Sequence, residues 1–427
     1  MKFYIETYGC QMNVADSELI ASILTKAGHQ EVHQISEADL LLFNTCSVRG
    51  HAEERVLGRI QSENHRKKEN PNLKIGVVGC MAQRLGEEIN KEKLIVDFVI
   101  GVDQYQHLPD ILNEETEKTI LTDLDETQLY KGIQPVYHND YCAYITIMRG
   151  CNNFCSYCIV PYVRGRERSR SWQDIIQETI SAGKQGKKDI TLLGQNVNSY
   201  LNGEVNFPRL LVKLNELDEI YRLRFITSHP KDLSEELIEV LANSAKICEH
   251  IHLPVQSGSD NILKAMNRNY TVQHFISLVE KLHKFIPYIA ITTDIMTGFP
   301  GETENDFQDT LSLMKTIEFD DAFCYKFSPR PGTTAETLSN QVPEAERLAR
   351  LQQMIELQRK ISLKKNREQI GRKVEVYIES FSKKSRKMVL GKTRDFKTAV
   401  LPGTEDDFGT LKQIEVKDAT ASTLICF

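Results

Sequence analysis

The sequence predicts an α/β chain in three parts: a doubly wound parallel-sheet domain, a partial barrel of parallel strands, and a small antiparallel β-barrel. Three observations carry this reading. Apolar runs of strand length alternate with amphipathic helical stretches over residues 1–115. Six further strand–helix units follow between residues 141 and 342. The remaining residues from 371 to 427 switch to short period-two runs broken by turn residues.

The first series runs KFYIETYG, then helix from Asp16; ADLLLFNT, then helix from His51; KIGVVG, then helix from Ala82; and DFVIG, then Gln104 onward. Strands separated by helices pair in parallel, with the helices on the faces of the sheet. A stretch rich in Thr, Asp and Glu, residues 116–140, reads as a linker. The second series has strands at YITIM, DITLLG, LRFITS, HIHLPV, IAITTDIM and AFCYKFSP, with helical segments such as WQDIIQETISAG between them, which gives six β/α units. Pro343 then opens a connecting helix, residues 343–370, with Leu348, Leu351 and Ile355 on one face, and Gly371 ends it. VEVYIES, RKMVLGKT, KTAVLP, KQIEVKD and TLICF supply the strands of the last part.

With 427 residues and 41% hydrophobic content, the chain can bury two or three ordinary cores. The net charge of −6 gives no global attraction to a polyanion, so any nucleic-acid surface must be local. MKFYIETYGC lacks the apolar run of a signal peptide and no 18-residue apolar stretch occurs, so the expectation is a cytoplasmic protein with no membrane contact. In that compartment ten cysteines point to metal or redox chemistry, not disulfides.

Their spacing gives two sets. Cys151, Cys155 and Cys158 form C-x3-C-x2-C directly after the first strand of the second series. A structural zinc wants a fourth nearby ligand, whereas a cubane cluster held by three thiolates leaves one iron open to another ligand. Neighbouring Asn, Gly and Ser argue against three cysteines of an apolar core. Cys10, Cys46 and Cys80 each follow a different predicted strand of the first domain. Carboxyl ends of parallel strands share one edge, so these three can hold a second cluster, although cysteine is also a common small core residue at such places. Ser228, Gln256, Ser257 and Gly298 are polar or small residues at later strand ends and are candidate cofactor contacts, with ordinary loop chemistry as the alternative.

GCNNFCSYC resembles the radical S-adenosylmethionine superfamily, and TYGCQMNVADS, NTCSVRGHAEERV, VVGCMAQR, RGCNNFCSYCIVPYVRGRERSR, LPVQSGSDNILKAMNR, DIMTGFPGET and FSPRPGT resemble its methylthiotransferase branch in order along nearly the whole chain. Arg149 of RGC, VPYVRGRERSR and GCMAQR are most similar to the MiaB subgroup, which acts on tRNA. The resemblance implies two 4Fe-4S clusters. One, on Cys151, Cys155 and Cys158, binds S-adenosylmethionine; the other, an auxiliary cluster on Cys10, Cys46 and Cys80, donates or carries sulfur. It implies conversion of N6-isopentenyladenosine at position 37 of tRNA to its 2-methylthio derivative. One S-adenosylmethionine gives the methyl group and a second gives the 5'-deoxyadenosyl radical, because a C2–H bond that is not acidic yields to radical chemistry. An electron donor such as flavodoxin or ferredoxin is implied as a partner.

By the same resemblance Tyr157 contacts the cofactor adenine, and Gly194, Gln195 and Asn196 stand where the superfamily has a GGE-like motif for the cofactor amino group. The last part resembles a TRAM RNA-binding domain, with Phe396 in place of an expected asparagine. The RNA candidates are Arg164, Arg166 and Arg168, and the run containing Lys383, Lys384, Arg386 and Arg394, although a charge run is also an ordinary solvated face. Competing readings are methylthiotransfer to threonylcarbamoyladenosine or to a ribosomal-protein aspartate, and a non-catalytic iron–sulfur protein that binds RNA.

Overall fold

The structure is a computed structural model and describes residues 1–47, 50–92, 94–113 and 118–427. The boundary expected at residues 115 and 116, and Val48 and Arg49 of the second motif, lie outside the described residues.

β1 (Lys2–Tyr8), β2 (Gln30–Glu31), β3 (Leu40–Thr45), β4 (Lys74–Gly79), β5 (Phe98–Ile100) and β6 (Thr119–Leu121) form one sheet in the order β2-β1-β3-β4-β5-β6, with every pair parallel. α1 (Gln11–Lys26), α2 (Gly50–Glu69), α3 (Cys80–Leu85) and α4 (Leu108–Asn113) connect the strands. Period-two alternation of β3 explains the two covered faces. Leu40 and Leu42 pack with Leu19, Ile20 and Leu24 of α1, whereas Leu41 and Phe43 pack with Val56 and Ile60 of α2. Strand order changes direction between β1 and β3, which opens a crevice at their carboxyl ends.

Three expectations need correction here. α1 begins at Gln11, not Asp16, and α3 at Cys80, not Ala82, so cysteines sit at the very starts of both helices. The segment read as a linker contains β6, which pairs Phe98 with Thr119. Farther along it, Gln134 O accepts from Ser22 Oγ at 2.6 Å, and Val136 N donates to Glu18 O, so the chain is packed along α1.

In the central part β7 (Cys142–Thr146) is followed by a short antiparallel ribbon, β8 (Met148–Arg149) with β9 (Arg168–Ser169), that brackets α5 (Val160–Arg164). Next come α6 (Trp172–Lys184), β10 (Asp189–Leu193), the hairpin β11 (Leu201–Asn202) and β12 (Val205–Asn206), α7 (Phe207–Asn215) and β13 (Arg222–Phe225). The chain continues through α8 (Glu235–Asn243), β14 (His250–His252), α9 (Asp260–Ala265), α10 (Val272–Phe285), β15 (Ala290–Thr297), α11 (Glu304–Ile317) and β16 (Asp321–Lys326). β13-β10-β7 and β14-β15-β16 are two parallel sheets, and a bridge from Leu223 to Ile247 links them. Ile145, Leu192, Phe225, Ile251 and Ile295 of these strands share one core with Leu237, Phe275 and Phe307 of the helices.

α12 (Glu344–Arg367) runs where a helix was expected, but Leu348 and Ile355 are exposed. Its buried side is Arg350, Met354, Gln358, Ile361, Ser362 and Asn366, a mostly polar face. Arg350 bonds Glu302 at 2.8 Å and Gln358 donates to Phe319 O, so polar docking replaces the apolar stripe. β17 (Lys373–Ser382), β18 (Ser385–Thr393), β19 (Thr398–Pro402), β20 (Leu411–Glu415), β21 (Asp418–Ala419) and β22 (Leu424–Ile425) follow in the order β20-β17-β18-β19-β22-β21 around Val376, Ile378, Val389 and Leu401. The expected purely antiparallel arrangement is broken by β19 and β22, which pair in parallel.

This last sheet docks on the amino ends of the central strands. Arg222, fully buried at the start of β13, holds Glu375 Oε1 at 2.7 Å and Lys392 O at 2.6 Å; Arg224 reaches Thr393 O and Arg394 O. Replacing Arg222 with alanine leaves these acceptors unmatched, so stability is expected to fall by about 3 kcal/mol. Urea unfolding measures the loss, and limited proteolysis is expected to release a fragment from near Gly371 sooner than in the parent.

Candidate active site

The three N-terminal cysteines sit at the carboxyl ends of β1, β3 and β4. Cys10 caps α1 with extended backbone, and Gly9 before it has φ +146°; a Cβ there would stand 2.5 Å from Cys46 Cβ, so only glycine lets the two ends approach. Beneath them, Asn13 Nδ2 donates to Asn44 Oδ1 at 3.1 Å, and Asn44 Nδ2 donates to Asn13 O and Ser17 Oγ, both at 2.8 Å. A hydrogen bond with Cys46 is the largest influence on Cys10, and with Arg164 and backbone N–H groups of the helix start it outweighs burial and draws the thiol down to about 6. Burial pushes the Cys80 thiol up, opposed by Arg164, whose Nε donates to Cys80 Sγ at 3.1 Å.

The second set lies on a loop pinned from both sides. Gly150 has φ +76°, and a Cβ there would stand 2.0 Å from Arg166 O. Ser156 N donates to Met266 O at 3.0 Å and Ser156 O accepts from Ala335 N at 2.8 Å. Cys151 and Cys155 are buried, and Cys155 Sγ accepts from Arg268 Nη1 at 3.6 Å. Burial, then the neighbouring Cys155, pushes the Cys158 thiol up to about 12. Tyr157 packs against Ile262, Met266 and Phe299.

The two sets belong to one region. α5 starts two residues after Cys158 and rises about 7 Å before ending at Arg164, which touches Cys80. Met12 and Ala15 of α1 pack with Leu193 at the end of β10, so the cysteine edge of the first sheet faces the carboxyl ends of the central strands. Fully buried Asp16 accepts from Arg149 Nη2 at 2.8 Å and Arg164 Nη2 at 2.7 Å, which locks the halves together; these two arginines hold its carboxyl below the usual range against the opposing effect of burial. Sequence reading missed Asp16, Asn13, Asn44 and Arg268, although all four lie within quoted motifs.

Among the described residues no three Cys, His, Asp or Glu side chains converge tightly enough to hold a single metal ion. In a cubane cluster each thiolate binds a different iron, so the donor set of three cysteines is one that such a cluster can use. Just beyond β10 and β13, Gln195 Oε1, Asn196 Oδ1, Ser228 Oγ and His229 Nε2 are buried with no partner, and such groups suit a polar ligand. Gln256 has φ +70° and its backbone is tied to Asp294 and Met296. Gly194 gives room to Met148. Ser257 and Gly298 are committed to the fold: Ser257 Oγ meets Thr310 and Ser259 N, and Gly298 N donates to Glu302 Oε2 at 2.6 Å while its α-carbon faces Arg347.

Three RNA candidates are corrected by their partners. Arg164 is buried on Asp16 and Cys80, Arg168 is buried on Asp103 at 3.0 Å, and Arg394 is bound to Glu249 at 2.7 Å, so none offers a free charge to phosphate. Arg166, Lys383, Lys384 and Arg386 are exposed, with Lys387 beside the last. Phe396 has φ +65°, a conformation that asparagine tolerates; here a stack on His250 at 4.7 Å and cations from Arg224 and Lys392 hold the phenyl ring.

No helix among the described residues is long and apolar enough to cross a membrane. The sequence profile of the Radical SAM superfamily matches residues 145–314, and that of Uncharacterized protein family UPF0004 matches residues 2–101. Among solved structures the chain is similar to the radical S-adenosylmethionine methyltransferase TsrM from Kitasatospora setae, with TM-score 0.55, 14% identity, and coverage of 78% of this chain and 77% of that one. It is also similar to the cobalamin-dependent radical enzyme OxsB, with TM-score 0.54, 13% identity, and coverage of 84% and 56%. The class is therefore the radical S-adenosylmethionine fold.

Relatives named tRNA-2-methylthio-N(6)-dimethylallyladenosine synthase are 46% identical in Thermoanaerobacter sp. (strain X514), over 99% of this chain and 91% of that one, and 47% identical in Azobacteroides pseudotrichonymphae, over 99% and 96%. A third, from Phocaeicola vulgatus, is 44% identical over 99% and 95%. The chain belongs to that synthase family.

Burial, then Arg268 and Lys231, keeps His229 neutral by pulling its pKa down to about 2. The unfolded chain binds a proton near 6.5, so this contribution to stability is complete above that pH and falls below it by about 1.4 kcal/mol per unit. Replacing His229 with glutamine is expected to flatten the loss between pH 6.5 and 4.5, read from denaturant midpoints of the metal-free protein.

Proposed function

We propose that this chain is a tRNA methylthiotransferase that converts N6-isopentenyladenosine at position 37, beside the anticodon, to 2-methylthio-N6-isopentenyladenosine. The observation that supports it most is Arg164, which joins the loop of one cysteine set to a sulfur of the other, so that a single bound base can meet both. Family membership at 44–47% identity supports the same substrate class.

In this reading the domains are residues 1–115 with the auxiliary cluster, a connection over 116–140, a radical core of a partial (β/α)6 barrel over 141–342, the helix over 343–370, and a TRAM module over 371–427. Cys151, Cys155 and Cys158 hold one 4Fe-4S cluster with S-adenosylmethionine, and Cys10, Cys46 and Cys80 hold the other. Bound there, these groups supply one-electron cleavage of the sulfonium, hydrogen abstraction from C2, and the sulfur that is inserted. Tyr157, Gln195, Asn196, Ser228 and Gln256 orient the cofactor, and the buried arginines neutralise part of the thiolate charge. A flavodoxin- or ferredoxin-like protein supplies electrons, and the enzyme works in the cytoplasm.

Docking of the last sheet on the amino ends of the strands sets a geometric demand. Six residues of strand span about 20 Å, so an RNA that touches the basic turn and also enters the crevice lies along the side of the central part. The target base then leaves its stack to reach the cysteines, at modest cost in a single-stranded loop.

Two outcomes check this reading. Anaerobic reconstitution is expected to give about eight irons per chain, and replacing Cys151, Cys155 and Cys158 with alanine about half that. With S-adenosylmethionine and reductant, nucleoside mass spectrometry is expected to show the methylthio mass on isopentenylated tRNA. A preference for threonylcarbamoylated tRNA or for a ribosomal protein would reassign the substrate.

For RNA binding, glutamine at Lys383, Lys384, Arg386 and Lys387 is expected to weaken tRNA affinity and to lower the slope of log affinity against log salt by about 0.7–0.9 for each phosphate that is no longer neutralised. Filter binding over a salt series reads this, and an unchanged slope would make the turn a plain solvated surface.

A further inference from the structure

In each cysteine set a sulfur accepts from a buried arginine, Cys80 from Arg164 and Cys155 from Arg268, and the arginine at the first set has an unusual environment. The Arg164 guanidinium donates Nε to Cys80 Sγ at 3.1 Å and Nη2 to Asp16 Oδ2 at 2.7 Å, while Nη1 is buried without a partner. The planar fork fixes both directions at once, which the single flexible ammonium of lysine would not do. Its position is held from outside as well: Arg168 Nη2 donates to Arg164 O at 2.9 Å, and Arg149 takes the other oxygen of Asp16. Two guanidinium groups against one carboxylate leave a net positive charge in a buried interior, with Arg164 beside Cys80 and Cys10, while Arg330, near Glu53 and Arg84, lies beside Cys46.

We propose that Arg164 sets the electron affinity of the cluster held by Cys10, Cys46 and Cys80, with Asp16 as its moderator, so that both are positioning residues. The inference rests on the reading that these cysteines hold a cluster. Reduction adds a negative charge to the metal group and its thiolates. A cation that bonds one of those sulfurs stabilises the reduced form more than the oxidised one, which raises the reduction potential. The Asp16 carboxylate opposes this, because it is the nearest compensating charge. The pair gives opposite signs to two changes at one place, which a loosened fold would not do.

The test uses the full chain with Cys151, Cys155 and Cys158 replaced by alanine, so that one cluster is observed. After anaerobic reconstitution, iron content is measured and the cluster is followed by electron paramagnetic resonance through a redox titration. Arg164→Gln is expected to keep its iron and shift the midpoint to more negative potential. Arg164→Lys, which keeps a charge beside Asp16, is expected to shift the same way by less, and it decides the matter if Arg164→Gln loses its cluster. Asp16→Asn is expected to shift the midpoint to more positive potential. Arg268→Gln, which serves the other set, is expected to leave it in place. A midpoint unchanged in both Arg164 variants, or an Asp16→Asn shift in their direction, overturns the proposal. A parent that binds no iron overturns the cluster assignment beneath it.

Discussion

A single carboxylate, that of Asp16, sits between two arginines with no exposure to solvent, and the geometry of both cysteine sets depends on it. Removing a carboxylate and two guanidinium groups from water costs several kcal/mol per ion, which close charge-assisted bonds offset only when the partners are fixed. Here they are fixed by the chain. Arg149 stands two residues before Cys151 and Arg164 closes the helix after Cys158, so one anchor grips both ends of the cysteine loop. The anchor itself belongs to α1, whose N-cap is Cys10. Tyr105 adds a hydroxyl at 3.4 Å.

The far end of the central part is held by the same physical device with different residues. Arg222, Arg224 and Arg394 bind carbonyls and carboxylates across the contact with the last sheet, and Phe396 fills the space over His250. Arginines fork to several acceptors, so few side chains fix the orientation of a small module. Cationic residues are thereby divided between two tasks. Those with buried partners hold domains together, and those on the turn after β17 remain available to solvent or phosphate.

Much of this arrangement was legible in the sequence because it rests on local pattern. The buried parallel strands announce themselves as apolar, β-branched runs, as in LLLF of β3 and IAITTDIM at β15, and cysteine spacing marks the loop at Cys151. Other features depend on distant partners and leave no such mark. β6 has three residues and reads as loop until β5 is beside it. Arg164 and Arg168 look like neighbours of Arg166 in a basic run, yet their fate is set by Asp16 and Asp103, far away in sequence. The buried side of α12 is polar because Glu302 and Phe319 O await it, so hydrophobic periodicity pointed to the wrong face.

Arg164 stands between the two cysteine sets, bonded to Cys80 and ending the helix that follows Cys158. Anomalous diffraction at the iron edge, from crystals of the anaerobically reconstituted protein, tests it most directly. Two separate iron peaks are expected, one beside Cys10, Cys46 and Cys80 and the other beside Cys151, Cys155 and Cys158, on either side of the Arg164 guanidinium. A single peak, or two peaks divided by the central core with Arg164 remote from both, would contradict it.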